Sequence, residues 1–287
     1  MKESSKKLPL ESEDHHWWPQ CVSKHWKDNQ GHIHKMSSIG TVSPYKKHRK
    51  LGYIPNAHSI KFSGEPTVWD ESYEHYFDFV DNNKGFPSII KWLRDLKSNY
   101  SSQDEDNEKI DLLLDCSLSL VVRSPRFRNQ IKNNIEQFGG HNASELLISI
   151  NQRNTFEKFK NSLSHQGKFA VILSNEQEFI FGDGFYQNFV SSIDIPLEPR
   201  MIVPILPDIC VLYSRPMSYS AKPRLITREL KKEDIDFINQ TTMVYSKDYV
   251  VYKSQQPVIT KNFSCNKFLE YGFNGDPVIN AFSSIFN

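Results

Sequence analysis

Gly167-Lys168-Phe169-Ala170-Val171-Ile172-Leu173-Ser174-Asn175 is where the chain changes its period, and that change decides the fold class. Up to Leu163 the apolar residues recur at three- and four-residue spacing, the mark of amphipathic helices. From Lys168 they run unbroken to Leu173, and again over Glu178-Phe179-Ile180-Phe181, which reads as two strands. Ser174-Asn175 between them predicts a hairpin, with Gly182-Asp183-Gly184 a sharp turn after the second strand. Two further apolar runs, Met201 to Leu206 and Ile209 to Tyr213, follow Pro196-Leu197-Glu198-Pro199. Lys232 to Thr241 reads as a helix, and Met243 to Tyr252 as a strand or short helix.

Working back from Gly167, Ser144 to Leu163 predicts a helix, and Asn129 to Phe138 another. Ile110 to Val122 is apolar enough for a largely buried helix, ending at Arg123-Ser124-Pro125-Arg126-Phe127. Pro87 opens a helix carrying Ile89, Ile90, Trp92, Leu93 and Leu96. An aromatic row, Trp69, Tyr73, Tyr76, Phe77 and Val80, predicts one more amphipathic face. The polar tract Ser101 to Glu108 reads as a solvated loop or a helix start. The expected class is α+β: an N-terminal hairpin or irregular segment, a central helical bundle, and a small, mostly antiparallel C-terminal sheet. Residues 1–13 are expected to be flexible, 14–253 to form a single domain, and 254–287 an extended tail.

The 287 residues suffice for one large domain with a real core. Aromatic residues make up 13%, so Phe, Tyr and Trp carry much of that core. The net charge is +1, which provides no global field toward nucleic acid or membrane. Residues 1–60 are the basic end, with ten Lys or Arg against five Asp or Glu, and they hold seven of the ten histidines. Cys21, Cys116, Cys210 and Cys265 form no C-x-x-C pair, which argues against a zinc ribbon and a disulfide framework. The polar start has no apolar h-region, and no run reaches a membrane span, so a cytoplasmic protein without membrane attachment is expected.

The densest chemistry lies in Asp14-His15-His16-Trp17-Trp18-Pro19-Gln20, continued to His34. His32-Ile33-His34 alternates as a strand would, placing both imidazoles on one face. With His15 they are candidate ligands for a divalent metal, against a plainer role as hydrogen-bonded packing residues. A metal-assisted nuclease or phosphodiesterase would need the His16 region, a carboxylate such as Asp183, and a cation for phosphate charge, for which Arg123 is the candidate. The plainer readings are a turn residue for Asp183 and a helix-end cap for Arg123. Lys46, Lys47 and Arg49, with Tyr45 and Tyr53 beside them, are candidate nucleic-acid backbone contacts. Phosphate-cradling and nucleophile-elbow motifs are absent from the sequence.

Several blocks taken together resemble the bacterial proteins grouped as domain of unknown function 4238. They are His16-Trp17-Trp18-Pro19 through Trp26 with Asp28 to Gly31, Arg123-Ser124-Pro125-Arg126-Phe127, Phe179-Ile180-Phe181-Gly182-Asp183, Pro196-Leu197-Glu198-Pro199 and Ile238-Asn239. Their order covers residues 15–253. Ser23 stands where a leucine is usual, and Gly182 and Gly184 replace the usual Ser and Asn. The resemblance implies a bacterial effector in toxin-like or antiphage settings, acting on nucleic acid through His16, Arg123 and Asp183, with Asn239 as a binding residue. The alternative is a non-catalytic recognition module that docks a protein or nucleic-acid partner through Trp17 and Trp18.

Overall fold

The computed structural model describes residues 14–45, 51–55, 59–60, 71–72, 74–139, 144–164, 166–188, 198–215, 220, 222–272 and 275–286. The stretch 1–13, the basic residues Lys46, Lys47 and Arg49, and Trp69 and Tyr73 of the aromatic row lie outside them.

The chain opens with β1 (Asp14–His16), α1 (Gln20–Ser23) and a 3-10 turn at Lys24–Trp26. The hairpin β2 (Ile33–Ser37) and β3 (Val42–Tyr45) follows, then short strands β4 (Tyr53–Pro55), β5 (Ser59–Ile60) and β6 (Glu71–Ser72). A 3-10 turn at Glu74–Phe77 leads into α2 (Asp78–Asp81), and the helical middle comprises α3 (Phe86–Asp95), α4 (Asn107–Arg123), α5 (Pro125–Gly139) and α6 (Glu145–Leu163). The second half holds β7 (Lys168–Leu173), β8 (Phe181–Gly182), β9 (Tyr186–Gln187), β10 (Arg200–Leu206), β11 (Ile209–Ser214) and β12 (Leu225–Glu229). It closes with α7 (Lys232–Val244), β13 (Tyr249–Tyr252), α8 (Lys261–Ser264) and α9 (Val278–Phe286). The class is α+β, as the period change at Gly167 predicts.

Local chemistry explains most boundaries. Pro87 sits in the first turn of α3, and Phe86, Ile89, Ile90 and Leu93 form its buried stripe. Between α4 and α5, Ser124 is extended (ψ 149) because Pro125 follows it. Its Oγ donates to Val121 O at 2.7 Å, so the break leaves no orphan hydroxyl. Ser144 caps α6 by accepting from the Leu147 N–H.

The strands form a five-stranded sheet in the order β12-β7-β11-β10-β9 and a four-stranded sheet in the order β3-β2-β13-β8. Among the described residues only β12 and β7 run parallel; the other pairs are antiparallel. Alternation in β7 splits the core in two. Phe169 and Val171 face the helical middle with Met201, Val203 and Val211. Ala170 and Ile172 face α7 and α9, where Ile235, Ile238, Val278 and Phe282 are buried. The large sheet therefore lies between two helical layers, and a third cluster, with Met36, Val250 and Phe263, seals the outer face of the small sheet.

Three expectations are corrected. The hairpin between Lys168–Leu173 and Glu178–Phe181 does not form. Both edges of β7 are taken, by β11 and by β12, and Phe181-Gly182 instead joins β13 in the other sheet. The hairpin is β10–β11, whose runs are separated only by Pro207-Asp208. The aromatic row does not make one helix: strand β6, a 3-10 turn and the single turn α2 occupy Glu71–Asp81. Aromatic residues are weak helix formers, and here Tyr76 and Phe77 pack edge-on against Phe156, with centroids 5.9 and 5.4 Å away. The chain after Ser254 is not simply an extended tail, since α9 buries Val278, Phe282 and Phe286 against the large sheet.

Candidate functional site

The two aromatic rings nominated for docking are core. Trp17 and Trp18 are 1% and 0% exposed, and Trp18 stacks on Phe181 at 3.8 Å with the planes 6° apart. Trp26 closes the cluster and donates its indole N–H to Ile205 O at 3.1 Å. They join the N-terminal segment to both sheets. A docking surface built on Trp17 and Trp18 is excluded by that burial.

His16, Arg123 and Asp183 belong to different internal contacts. The Arg123 guanidinium, fully buried, grips Asp81 through two hydrogen bonds of 2.7 and 3.0 Å and lies over the Phe77 ring. It also donates to Ser119 O, to Ser119 Oγ and, at 3.5 Å, to the backbone carbonyl of His16. His16 meets Arg123 through that carbonyl, while its imidazole lies 3.4 Å from Gln20 Nε2.

Asp183 is completely buried, and its two carboxylate oxygens accept from the backbone N–H groups of Lys247 and Asp248 at 2.8 and 2.9 Å. Its carbonyl accepts from Arg126 N, which docks the turn on the start of α5. Burial pushes the Asp183 carboxyl up to about 6, against the lowering effect of the two N–H donors. The flanking glycines are required by this packing. A Cβ on Gly182 would meet Ser246 Oγ at 1.8 Å, and one on Gly184 would meet Tyr245 O at 2.1 Å. The Gly-Asp-Gly turn is thus a clamp on the α7–β13 connection.

His32 and His34 are held by one carboxylate. Asp28 Oδ1 accepts from the N–H of Gln30 and His32, and Oδ2 lies 2.8 Å from His34 Nε2. These bonds hold the Asp28 carboxyl below the usual carboxylate range, and the His34 ring stacks on Tyr252. His15 contributes a strand residue to β1, paired with Ile54. Among the described residues no three His, Cys, Asp or Glu side chains converge to hold an ion. Cys21 is no activated nucleophile: burial, then Asp81, push its thiol up to about 11.

Asn239 lies in a cleft wall, but its amide is spent on the backbone, accepting from Ile180 N at 3.0 Å and donating to Glu178 O at 2.9 Å. The cleft it borders, of about 690 Å³, runs between α7 and the segment Gln255–Thr260. Lys232, Asp236, Asn239, Gln240 and Met243 face it from a single stripe of α7, and Glu176 and Gln177 close one end. Gln177 donates to Asp236, while its Oε1 is buried and without a partner. Across Glu176 a second hollow, of about 250 Å³, is bordered by His25, Arg94, Lys253 and Asp208. Burial, then Arg94 and Lys24, bring the His25 imidazole down to about 4, so it is neutral at pH 7. Sequence reasoning missed these walls apart from Asn239. Their signal is compositional: Asn175-Glu176-Gln177-Glu178 and Gln255-Gln256-Pro257 are amide-rich stretches about eighty residues apart.

In comparisons with known proteins, no family model, no curated protein and no solved structure matches the chain. Among the described residues no helix is long and apolar enough to cross a membrane.

Proposed function

We propose that the protein is a recognition module for a protein partner rather than a nuclease built on His16, Arg123 and Asp183. One observation carries this reading: the guanidinium and the carboxylate named for catalysis are fully buried and spent on internal hydrogen bonds. A catalytic group must reach substrate at hydrogen-bond distance, and both are sealed from solvent. A roomy, open, polar cleft of about 690 Å³ lies elsewhere, between α7 and Gln255–Thr260. A bacterial effector setting, which the resemblance of the sequence blocks implies, is part of the same proposal.

The test has two arms. The protein is incubated with single-stranded and duplex RNA and DNA in the presence of Mg²⁺, Mn²⁺ or Zn²⁺. The expected result is no cleavage above buffer; cleavage that disappears in a folded His16→Ala variant overturns the reading. In expressing cells, a photoreactive amino acid replacing Val258, 87% exposed at the cleft, should give discrete protein adducts. The same probe replacing Phe138, 81% exposed on α5, should not. Equal labelling from both positions overturns the assignment to this cleft.

A further inference from the structure

The wall of the cleft opposite α7 is a stretch of backbone that belongs to neither sheet. Gln256 to Thr260 runs on without helix, ladder, turn or bend, and among the described residues the N–H groups of Gln256, Val258 and Ile259 make no backbone hydrogen bond. Across from it stands the helix stripe Asp236, Asn239, Gln240 and Met243. An unbent segment with open backbone N–H groups, facing a helix across a groove, offers main-chain partners of the kind an extended peptide uses when it binds as a strand. Its backbone would pair with the segment, and alternate side chains would point to either wall.

The groups left open in the cleft set the chemistry of those side chains. Glu178 is consumed by the N–H of Ser254 and Gln255, and Gln255 is consumed by Glu178 N and Glu176 O. What remains open is the Glu176 carboxylate and the second oxygen of Asp236, beside the neutral Gln240 amide. Lys232 is the one cation in the lining. Met243, Ile180 and Ile259 supply apolar floor.

We infer that this cleft takes an extended segment of a partner protein in which Lys or Arg alternates with apolar residues. The inference rests on the recognition-module reading above and names its occupant. The cationic side chains meet Glu176 and Asp236, the apolar ones lie on Met243 and Ile259, and the peptide N–H and C=O groups pair with the backbone of Gln256 and Val258.

The experiment uses three fluorescent ten-residue peptides, alternating Lys/Val, Gln/Val and Glu/Val, titrated with the full chain and read by anisotropy. The Lys/Val peptide should bind best and weaken with added salt. Binding should fall about tenfold in the Glu176→Gln/Asp236→Asn double variant, the sum of two surface ion pairs. A Lys/Val peptide N-methylated at every second residue should lose binding, a result independent of how the variant folds. Binding of the Glu/Val peptide as tight as Lys/Val, or indifference to both the double variant and N-methylation, overturns the inference. If no peptide binds while His16-dependent cleavage is absent, the occupant is wrong and the module reading stands. His16-dependent cleavage overturns the module reading whichever peptide binds.

Discussion

At the scale of the residue, the buried ion pair between Arg123 and Asp81 is asymmetric, and the asymmetry is testable. The Arg123 side chain is sealed from solvent, whereas that of Asp81 is 30% exposed. Removing the carboxylate leaves a buried guanidinium short of a counter-charge, so Asp81→Ala should cost about 3–5 kcal/mol. Removing the cation leaves a carboxylate that water can reach, so Arg123→Met, which keeps apolar volume under Phe77, should cost clearly less. Urea unfolding of the two variants checks the order; equal losses would mean that the pair is not what fixes α2 on α4. At the Gly-Asp-Gly turn, Asp183→Asn turns an amide NH₂ toward one of two backbone donors. It should cost about 1–3 kcal/mol, the value of one orphaned buried donor, in the same assay.

At the scale of the element, helices were legible from the chain and strand partners were not. The stripe of α3, the Ser124-Pro125 break and the Ser144 cap are written in residues adjacent in sequence. Ser144→Ala should therefore cost about 1 kcal/mol, read as a shift in the unfolding midpoint. The pairing of β7 with β12, or of Phe181 with Val251, depends on which edges remain open after distant elements dock. No local pattern in residues 168–181 contains that information. The same holds for the candidate site. Trp17 and Trp18 were conspicuous by type, but only the packing against Phe181 shows them to be core. The cleft walls were inconspicuous by type and come together only in three dimensions. Helix α9 is the sharpest case, because its stripe Val278, Phe282, Phe286 has helical spacing yet needs the sheet's second face to make it worth burying. Phe282→Ala should cost about 3–5 kcal/mol, far more than a tail residue would.

At the scale of the whole molecule, a half-buried imidazole and a buried carboxyl set opposing pH dependences. His25 has a folded pKa of about 4 against 6.5 in the unfolded chain, so its term stabilises above pH 6.5 and is lost as pH falls toward 4. Asp183 has a folded pKa of about 6 against 3.8, so the folded state holds the proton longer and its term is lost as pH rises from 3.8 to 6. The two windows overlap, and their slopes have opposite sign. Between pH 7 and 5, His25→Gln should gain stability relative to the parent, and Asp183→Asn should lose it. Urea midpoints at both pH values decide this; parallel shifts in the two variants would refute the assignment. The small sheet has a further consequence, for synthesis. β2 finds its second neighbour only in β13, with Ser37 paired to Tyr249 about two hundred residues later. A ribosome adding about 5–20 residues per second needs some 10–40 seconds to cover that gap. For that interval the β2–β3 hairpin emerges with Met36 uncovered, a nascent edge open to pairing with other chains until translation passes Tyr252.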